Sequence, residues 1–420
     1  MGRKNSQKGG LGSAAGPDRI KAAIGLKART IMAKTPIGLR RYVTQNKIQK
    51  MTAHLMNNGD LNRCLQSEAA KAEVVAEYRA RFPGQAAKLD KLIKEQFDTH
   101  IQLAGRSEDV LEAVRLQMAF VWFAFGFYPV EYMLFDFMDG NRELPRMRAF
   151  VSNLERWTFR FAANDFTNTL LADKAETYRR FCRFYGRDAV IIDGKGDYDG
   201  YLRFVERHPS FVLKPVGSSQ GNGVRLVEGV EDPRAFYEKL RASGKVLLEE
   251  RIEQHETMAR FNPSSVNTLR IAIYNTRNGL VAGHGIVRVG KKGAFVDNAV
   301  QGGISCTVDV RRGMTCSDGY VTNGERFKVH PDSGVAFNGF ELPDWKGALS
   351  ICRQISSEIP DMKYISYDLA YTKKGWVIVE INSSGGYHFQ GGTLKGFRED
   401  FEKLVASMDL MTPYEFRRGN

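Results

Sequence analysis

Apolar positions change their spacing once along the chain. From Arg19 to Glu112 they recur three and four residues apart among many charges, the pattern of amphipathic helices. Breaks at Pro36 and Gly38 predict two basic helices between Arg19 and about Asn58, and Pro83 with Gly84 interrupts the polar, helix-forming stretch from Asn62 to Glu112. Ser107, ahead of Glu108 and Asp109, reads as a helix N-cap. It leads into an uncharged run, Leu116 to Val130, that is shorter than the roughly 20 residues a membrane-spanning helix needs and contains Gln117, Gly126 and Pro129. The aromatic stripe of that run, Phe120, Trp122, Phe123, Phe125 and Phe127, therefore predicts a helix buried in a core rather than a lipid or cofactor surface.

After about Pro145 the helical period gives way to alternation. Strands are expected at Ala189 to Ile192, Phe211 to Leu213, Val246 to Leu248, Leu269 to Tyr274, Val300 to Val308, Ile365 to Ala370 and Trp376 to Ile381, with helices near Asp173 to Tyr185, Pro233 to Ala242 and Leu349 to Ser357. This order predicts an α+β body with largely antiparallel sheets behind a helical N-terminal region. The expected division is a flexible basic tail at 1–18, a helical region at 19–140 and a linker with the first part of the body at 141–205. A glycine-loop subdomain follows at 206–258, a catalytic and metal-binding subdomain at 259–410 and a short tail at 411–420.

Charge changes the picture at one end only. Of the net +13, residues 1–60 carry twelve Lys or Arg against Asp18 and Asp60, a net +10, which leaves +3 for the remaining 360 residues. Such an arm suits an anionic polymer, a membrane surface or an acidic protein, or simply keeps the chain in solution. No zinc-finger, helix-turn-helix or aromatic-basic sheet motif accompanies it, so no specific nucleic-acid reading follows. The five cysteines, Cys64, Cys182, Cys306, Cys316 and Cys352, form no CxxC pair, and the N-terminus has no apolar signal core. A soluble protein of a reducing cytoplasm, peripheral to a membrane if the arm docks there, is the expectation.

Three segments carry chemistry. Phe211 to Val224 is a strand ending in Lys214, followed by Gly217, Ser218, Ser219, Gly221 and Gly223. Glycines beside serines let backbone amides approach a polyphosphate, with Lys214 as a point charge at the root of the loop, although the spacing is not that of a P-loop. Val246 to Glu256 is an apolar strand ending in Glu249, Glu250 and, later, Glu256; its backbone would pair an adenine edge while a carboxylate takes ribose hydroxyls. On the strand from Trp376, Glu380 and Asn382 lie two apart and share a face, and Asp368 sits on the preceding strand of the same hairpin. Three such oxygen ligands suit Mg2+, with Mn2+ as a substitute, and a carboxylate set among Val-Ile-Val-Glu-Ile is costly to bury without a cation.

Together these residues resemble the ATP-grasp superfamily, and more closely its sugar-transfer-associated branch, found near polysaccharide-synthesis genes. The markers are the stretch from Phe125 to Tyr132, Asp173-Lys174, Lys214-Pro215, Gly217 to Gly223, Glu249-Glu250, Asn267 to Arg270, Asp297-Asn298, Gly302-Gly303 and Glu380 to Asn382. The resemblance implies two α+β subdomains that grip ATP between antiparallel sheets. It implies that Lys174 and Lys214 contact phosphates, that Glu249 to Ile252 form the adenine hinge and that Glu256 binds ribose. Asp368, Glu380 and Asn382 match the magnesium positions. One departure concerns Ser366, two before Asp368, where the similar D-alanine:D-alanine ligases carry an arginine; Arg270 or Arg288 would take its place.

The reaction so implied joins a carboxylate, an amino acid among the candidates, to an amine or hydroxyl through an acyl phosphate. Arg270 and Arg288 would clamp that intermediate. The acceptor would be a glycan, peptide or metabolite. A phosphotransferase on the same nucleotide site and a nucleotide-binding protein tethered by its arm are the alternatives, and a homodimer is among the expectations, since related ligases form dimers. Of the histidines, His388 is the one placed to act as a base, while His255, His284 and His330 read as structural.

Overall fold

The computed structural model describes residues 28–29, 32, 34–138, 144–166, 168–194, 198–216, 223–293, 297 and 302–414. The chain divides into two compact units, one of Met1–Lys34 with Thr167–Ile252 and one of Thr35–Phe166 with Glu253–Asn420. In sequence, the stretch Thr167–Ile252 thus interrupts the second unit.

The first unit is built on an antiparallel sheet of four strands, β1 (Ala189–Ile192), β2 (Ser210–Pro215), β3 (Arg225–Glu228) and β4 (Val246–Glu250), in the order β1-β4-β2-β3. Alternation along β2 buries Phe211 and Leu213 and turns Lys214 to the opposite face. Two helices, Tyr198–Arg207 and Pro233–Ser243, cover the apolar face with Tyr201, Phe204, Tyr237 and Leu240. The second of these starts where a capping Asp232 meets Pro233, with Asp232 accepting from the Ala235 N–H at 2.9 Å, and stops at Gly244.

The second unit opens with helices. Pro36 precedes Ile37–Thr52, and Pro83, expected only to break a helix, instead begins Pro83–Thr99 in the first-turn position where its missing N–H costs nothing. Ser107 does stand at the N-cap of Glu108–Phe125, although its side chain makes no capping bond. Phe120, Trp122, Phe123 and Phe127 are buried in one core with Tyr132, Phe135 and Phe137, as the aromatic stripe predicts. Gly126 ends the helix in a left-handed turn at φ +74°, and a Cβ there would meet Leu154 at 2.6 Å. Tyr128 then starts the short helix Pro129–Leu134, where its backbone N–H donates to Glu131 Oε2 at 2.8 Å.

The unit continues in an antiparallel sheet of eight strands. Six of them are β5 (Thr268–Thr276), β6 (Gly279–Val289), β7 (Ile304–Asp309), β8 (Met314–Thr315), β9 (Gly319–Tyr320) and β10 (Arg326–Phe327). The hairpin β11 (Tyr364–Thr372) and β12 (Gly375–Asn382) completes it, in the order β10-β9-β7-β6-β5-β11-β12, with β8 paired to β7. Strand β6 was not expected from the sequence, because Gly279, Gly283 and Gly285 dilute its apolar pattern; a Cβ at Gly283 would meet the Tyr274 ring at 2.4 Å, so that glycine makes room for a neighbouring side chain.

The helix Asn153–Ala163 is tied to the sheet by side chains that satisfy backbone groups. Asn164 accepts from the Tyr364 N–H at 2.9 Å and donates to the Tyr364 and Ser383 carbonyls. Fully buried Gln390 accepts from Val151 and Phe397 and donates to Val151 and Tyr387, so all its polar atoms are paired. Arg398 forms a two-pronged ion pair with Glu155 at 2.5 and 2.6 Å. Among the described residues no helix is long and apolar enough to cross a membrane.

Glu131 is fully buried, and burial pushes its carboxyl from an ordinary 4.5 up to about 8, against the pull of backbone N–H groups. A group whose folded pKa is raised favours folding at low pH, and that contribution is lost as pH rises through the folded value. Urea titrations from about pH 5 to about pH 9 should show the native protein losing on the order of 4 kcal/mol that Glu131→Gln does not lose. Parallel curves for the two proteins would contradict this.

Candidate active site

The antiparallel register of the second unit lines up a row of charged side chains. Asp368 on β11 pairs with Arg270 on β5 on one side and with Glu380 on β12 on the other. Asn382, two residues on, falls on the same face, and its Nδ2 lies 3.5 Å from Glu380 Oε2. Thr268, two before Arg270, pairs with Arg288 on β6. The predicted metal and clamp residues therefore share one face of four adjoining strands.

Charge compensation within this row is close. Arg270 donates from Nε to Asp368 Oδ1 at 2.6 Å and from Nη2 to Oδ2 at 2.7 Å, and Arg288 Nη2 lies 3.2 Å from the same Oδ2. Arg288 also donates to Thr268 Oγ1 at 2.8 Å, and Thr268 bonds Asp297 through both its N–H and its hydroxyl. Burial alone would raise Asp368, but the two guanidiniums override it and hold the carboxyl down to about 2. Asp297, with Arg288 farther off at 3.8 Å, is left raised by its burial. Asn267, just ahead of β5, is a structural knot: its amide donates to the Met258 and Asn262 carbonyls at 2.9 Å each.

Beside this face runs the turn Ser383 to Tyr387 and then His388. Arg156, on the helix Asn153–Ala163, donates from Nη1 to the Gly385 carbonyl at 3.1 Å, and Arg160 donates from Nη2 to Ser383 Oγ at 2.7 Å. Nothing in the sequence singled out these two arginines, whose partners lie more than 220 residues away. His388 is half-buried, and burial together with the charges of Arg156 and Arg270 lowers its ring to about 4, so it is neutral at physiological pH. The other histidines are structural: His255 caps a helix by accepting from Thr257, buried His284 stacks on Phe389, and His330 lies 3.1 Å from the Gly290 carbonyl.

The first unit gathers a second charged group. Glu249 on β4 is buried and accepts from Arg187 Nε at 2.9 Å and from Lys214 Nζ at 2.8 Å. Burial would raise Glu249, yet Arg187 and Lys214 keep it below the usual carboxylate range. Arg187 was missed by sequence reasoning, since it lies 62 residues from Glu249 and outside any motif. Glu250, on the opposite face, accepts from the Asp188 N–H at 2.9 Å. Lys174 begins a helix capped by Asp173, which also accepts from Lys245 at 2.9 Å. Gly223 adopts φ +75° with Pro215 as near as 3.0 Å to where a Cβ would stand. Gly217, Ser218, Ser219, Gly221 and Asn298 lie outside the described residues, as does the tail 1–18. Ile252 is half-buried at the end of this unit, and Glu256, in the second unit, is exposed.

Among the described residues no cluster of three or more His, Cys, Asp or Glu side chains forms a metal centre. The donors available on the sheet are instead one buried carboxylate, one half-buried carboxylate and one amide on a common face. Asp368 Oδ1 accepts a single bond from Arg270 and so keeps a lone pair. That all-oxygen set fits a hard divalent cation, which takes few protein ligands.

The profile of the family described as "Sugar-transfer associated ATP-grasp" matches residues 189–402, about half of the chain. No curated protein matches. Among solved structures, D-alanine–D-alanine ligase from Bacillus anthracis is 10% identical, with 60% of this chain and 74% of that chain covered at a TM-score of 0.36. A D-Ala:D-Ser ligase from Enterococcus faecalis is 14% identical, covering 60% and 68% at 0.38. The D-alanine–D-alanine ligase from Helicobacter pylori is 15% identical, covering 62% and 73% at 0.37.

Asp368→Asn would leave Arg270 and Arg288 without their shared counter-ion, a loss of about 3 kcal/mol in a urea titration near neutral pH. Because the folded pKa of Asp368 lies below its ordinary 3.8, its contribution is complete above that value and is lost as pH falls toward about 2. The gap between the two proteins should therefore narrow in acid; a gap that does not change with pH would show that the carboxylate charge is not what stabilises the sheet.

Proposed function

Because the chain belongs to the sugar-transfer associated ATP-grasp family, we propose that it is an ATP-dependent ligase that activates a carboxylate as an acyl phosphate and passes the acyl group to an amine or hydroxyl. The observation that carries this reading is the common face of Asp368, Glu380, Asn382, Arg270 and Arg288 on four adjoining strands. Acid and base chemistry on the protein is sparse there, which suits a reaction run by positioning and charge compensation.

Magnesium, or manganese in its place, would be held by Glu380 and Asn382 with Asp368 beside them, and would supply neutralisation of phosphate charge. Arg270 and Arg288 orient the reacting acid and stabilise the phosphoryl oxygens through guanidinium forks that Asp368 keeps aimed from below. An oxygen of the acid attacks the γ-phosphorus, ADP departs, and the acceptor then displaces phosphate from the acyl carbon while losing its proton. The departing phosphate can take that proton, since burial and neighbouring cations hold the His388 ring down to about 4 and make it a weak base. In the first unit Lys174, Lys214, Ser218, Ser219 and the glycines Gly217, Gly221 and Gly223 serve the phosphates. Glu249, Glu250 and Ile252 serve the adenine, with Arg187 holding Glu249 beside Lys214.

The test is ATP turnover, split into ADP and free phosphate, across amino acids and organic acids with amine and sugar acceptors. Phosphate release should require an acid, and Glu380→Gln should lower it on the order of 100-fold or more. ADP formed without free phosphate, with an acceptor gaining a phosphoryl group, would make the protein a phosphotransferase and end the ligase reading.

A further inference from the structure

Among the described residues of the second unit, three arginines of the sheet and the helices beside it have a carboxylate close by, and the more deeply buried Arg156 does not. Arg270 has Asp368 at 2.6 Å, Arg288 has Asp368 at 3.2 Å and Arg398 has Glu155 at 2.5 Å. Arg156 is only 9% exposed, yet all its partners are neutral: Nε donates to Asn153 Oδ1 at 2.7 Å, and Nη1 to the Gly385 carbonyl at 3.1 Å and to Ser384 Oγ at 3.4 Å. Its guanidinium also lies over the Trp157 ring, 4.2 Å from the centroid. No described carboxylate stands within ion-pair distance of it; the Glu131 carboxyl feels its charge, but burial pushes that group up to about 8 and keeps it protonated near neutral pH, and Arg156 Nη2 donates to no described residue. A buried cation without a counter-ion is costly, and bonds to neutral oxygens offset only part of that cost.

Its position says what the missing anion would be for. Ser384 and Gly385 follow the proposed ligand Asn382 by two and three residues, and the charges of both Arg156 and Arg270 are felt at the ring of His388. Arg160, 5.1 Å from the centroid of the same Trp157 ring and bonded to Ser383 Oγ, adds positive potential to the same edge. The unused Nη2 is a charged donor, and a carboxylate, which brings both an acceptor and the opposite charge, suits it better than a hydroxyl or an amide does.

We propose that Arg156 binds a second carboxylate that does not react, so that either the acid or the acceptor carries one, as a dicarboxylic acid, an amino acid or a sugar acid does. This rests on the ligase reading for its meaning, but it can be measured without turnover. Calorimetric titrations would compare paired probes that differ only in that group: succinate with succinamate, glycine with glycinamide, galacturonate with galactose. The native protein should prefer one carboxylate member on the order of 10- to 100-fold. Arg156→Gln should abolish the preference and Arg156→Lys should restore part of it. A preference seen with succinate assigns the carboxylate to the acid; one seen with galacturonate or glycine assigns it to the acceptor.

If the native protein prefers neither member of any pair, or if Arg156→Gln weakens both members equally, Arg156 merely braces the turn at Ser383 to Gly385 and the proposal is wrong. A preference that depends on Arg156 in a protein that releases no phosphate with any acid would remove the ligase reading and leave the anion site in place.

Discussion

Asp368 lies on an interior strand at 3% exposure, where a bare carboxylate is untenable, and the way the sheet meets that constraint arranges everything around it. The counter-charges come from neighbouring strands rather than from the same one, so they depend on register. A slip of one residue in β5 would turn Arg270 to the opposite face and leave Asp368 without its main partner. The same register holds Glu380 and Asn382 beside Asp368. Charge balance and the common placing of these three oxygen-bearing side chains are thus fixed by one set of backbone hydrogen bonds. Glu249 in the first unit is handled in the same way, with Arg187 and Lys214 keeping a buried anion in its charged form.

How much of this could be read in advance depended on distance along the chain. The hairpin of β11 and β12 was legible because period-two alternation puts Glu380 and Asn382 on one face whatever the rest of the fold does. Lys214 was legible as the polar end of an apolar strand, and the aromatic stripe around Trp122 as a core. What escaped were side chains whose meaning lies in remote partners, Arg187 with Glu249 and Arg156 with Gly385. An arginine on an amphipathic helix looks the same whether it faces water or a buried turn. Strand β6 escaped for a different reason, since glycines required by crowding at Tyr274 erase the pattern that announces a strand.

At position 366 the sheet carries a serine, and the guanidiniums beside Asp368 come from other strands. Sequence reasoning notes a serine two residues before Asp368 and looks to Arg270 or Arg288 for the missing guanidinium. In the structure Ser366 is fully buried on β11, paired with Ala272 and Asn382. Both arginines reach Asp368 from β5 and β6. A guanidinium supplied across the sheet arrives in line with the carboxylate and can grip it with two nitrogens, as Arg270 does.

The helix Asn153–Ala163 lies wholly before the segment 189–402 that defines the family match. Yet Asn164, Arg156 and Arg160 hold the turn after β12, and near the other end of the chain the Met411 N–H donates to the Ala162 carbonyl while Tyr414 bonds Glu155. The family match and the folded unit therefore end in different places. A protein trimmed to 189–402 would keep Asp368, Glu380, Asn382, Arg270 and Arg288 while losing the wall that gives their edge its shape.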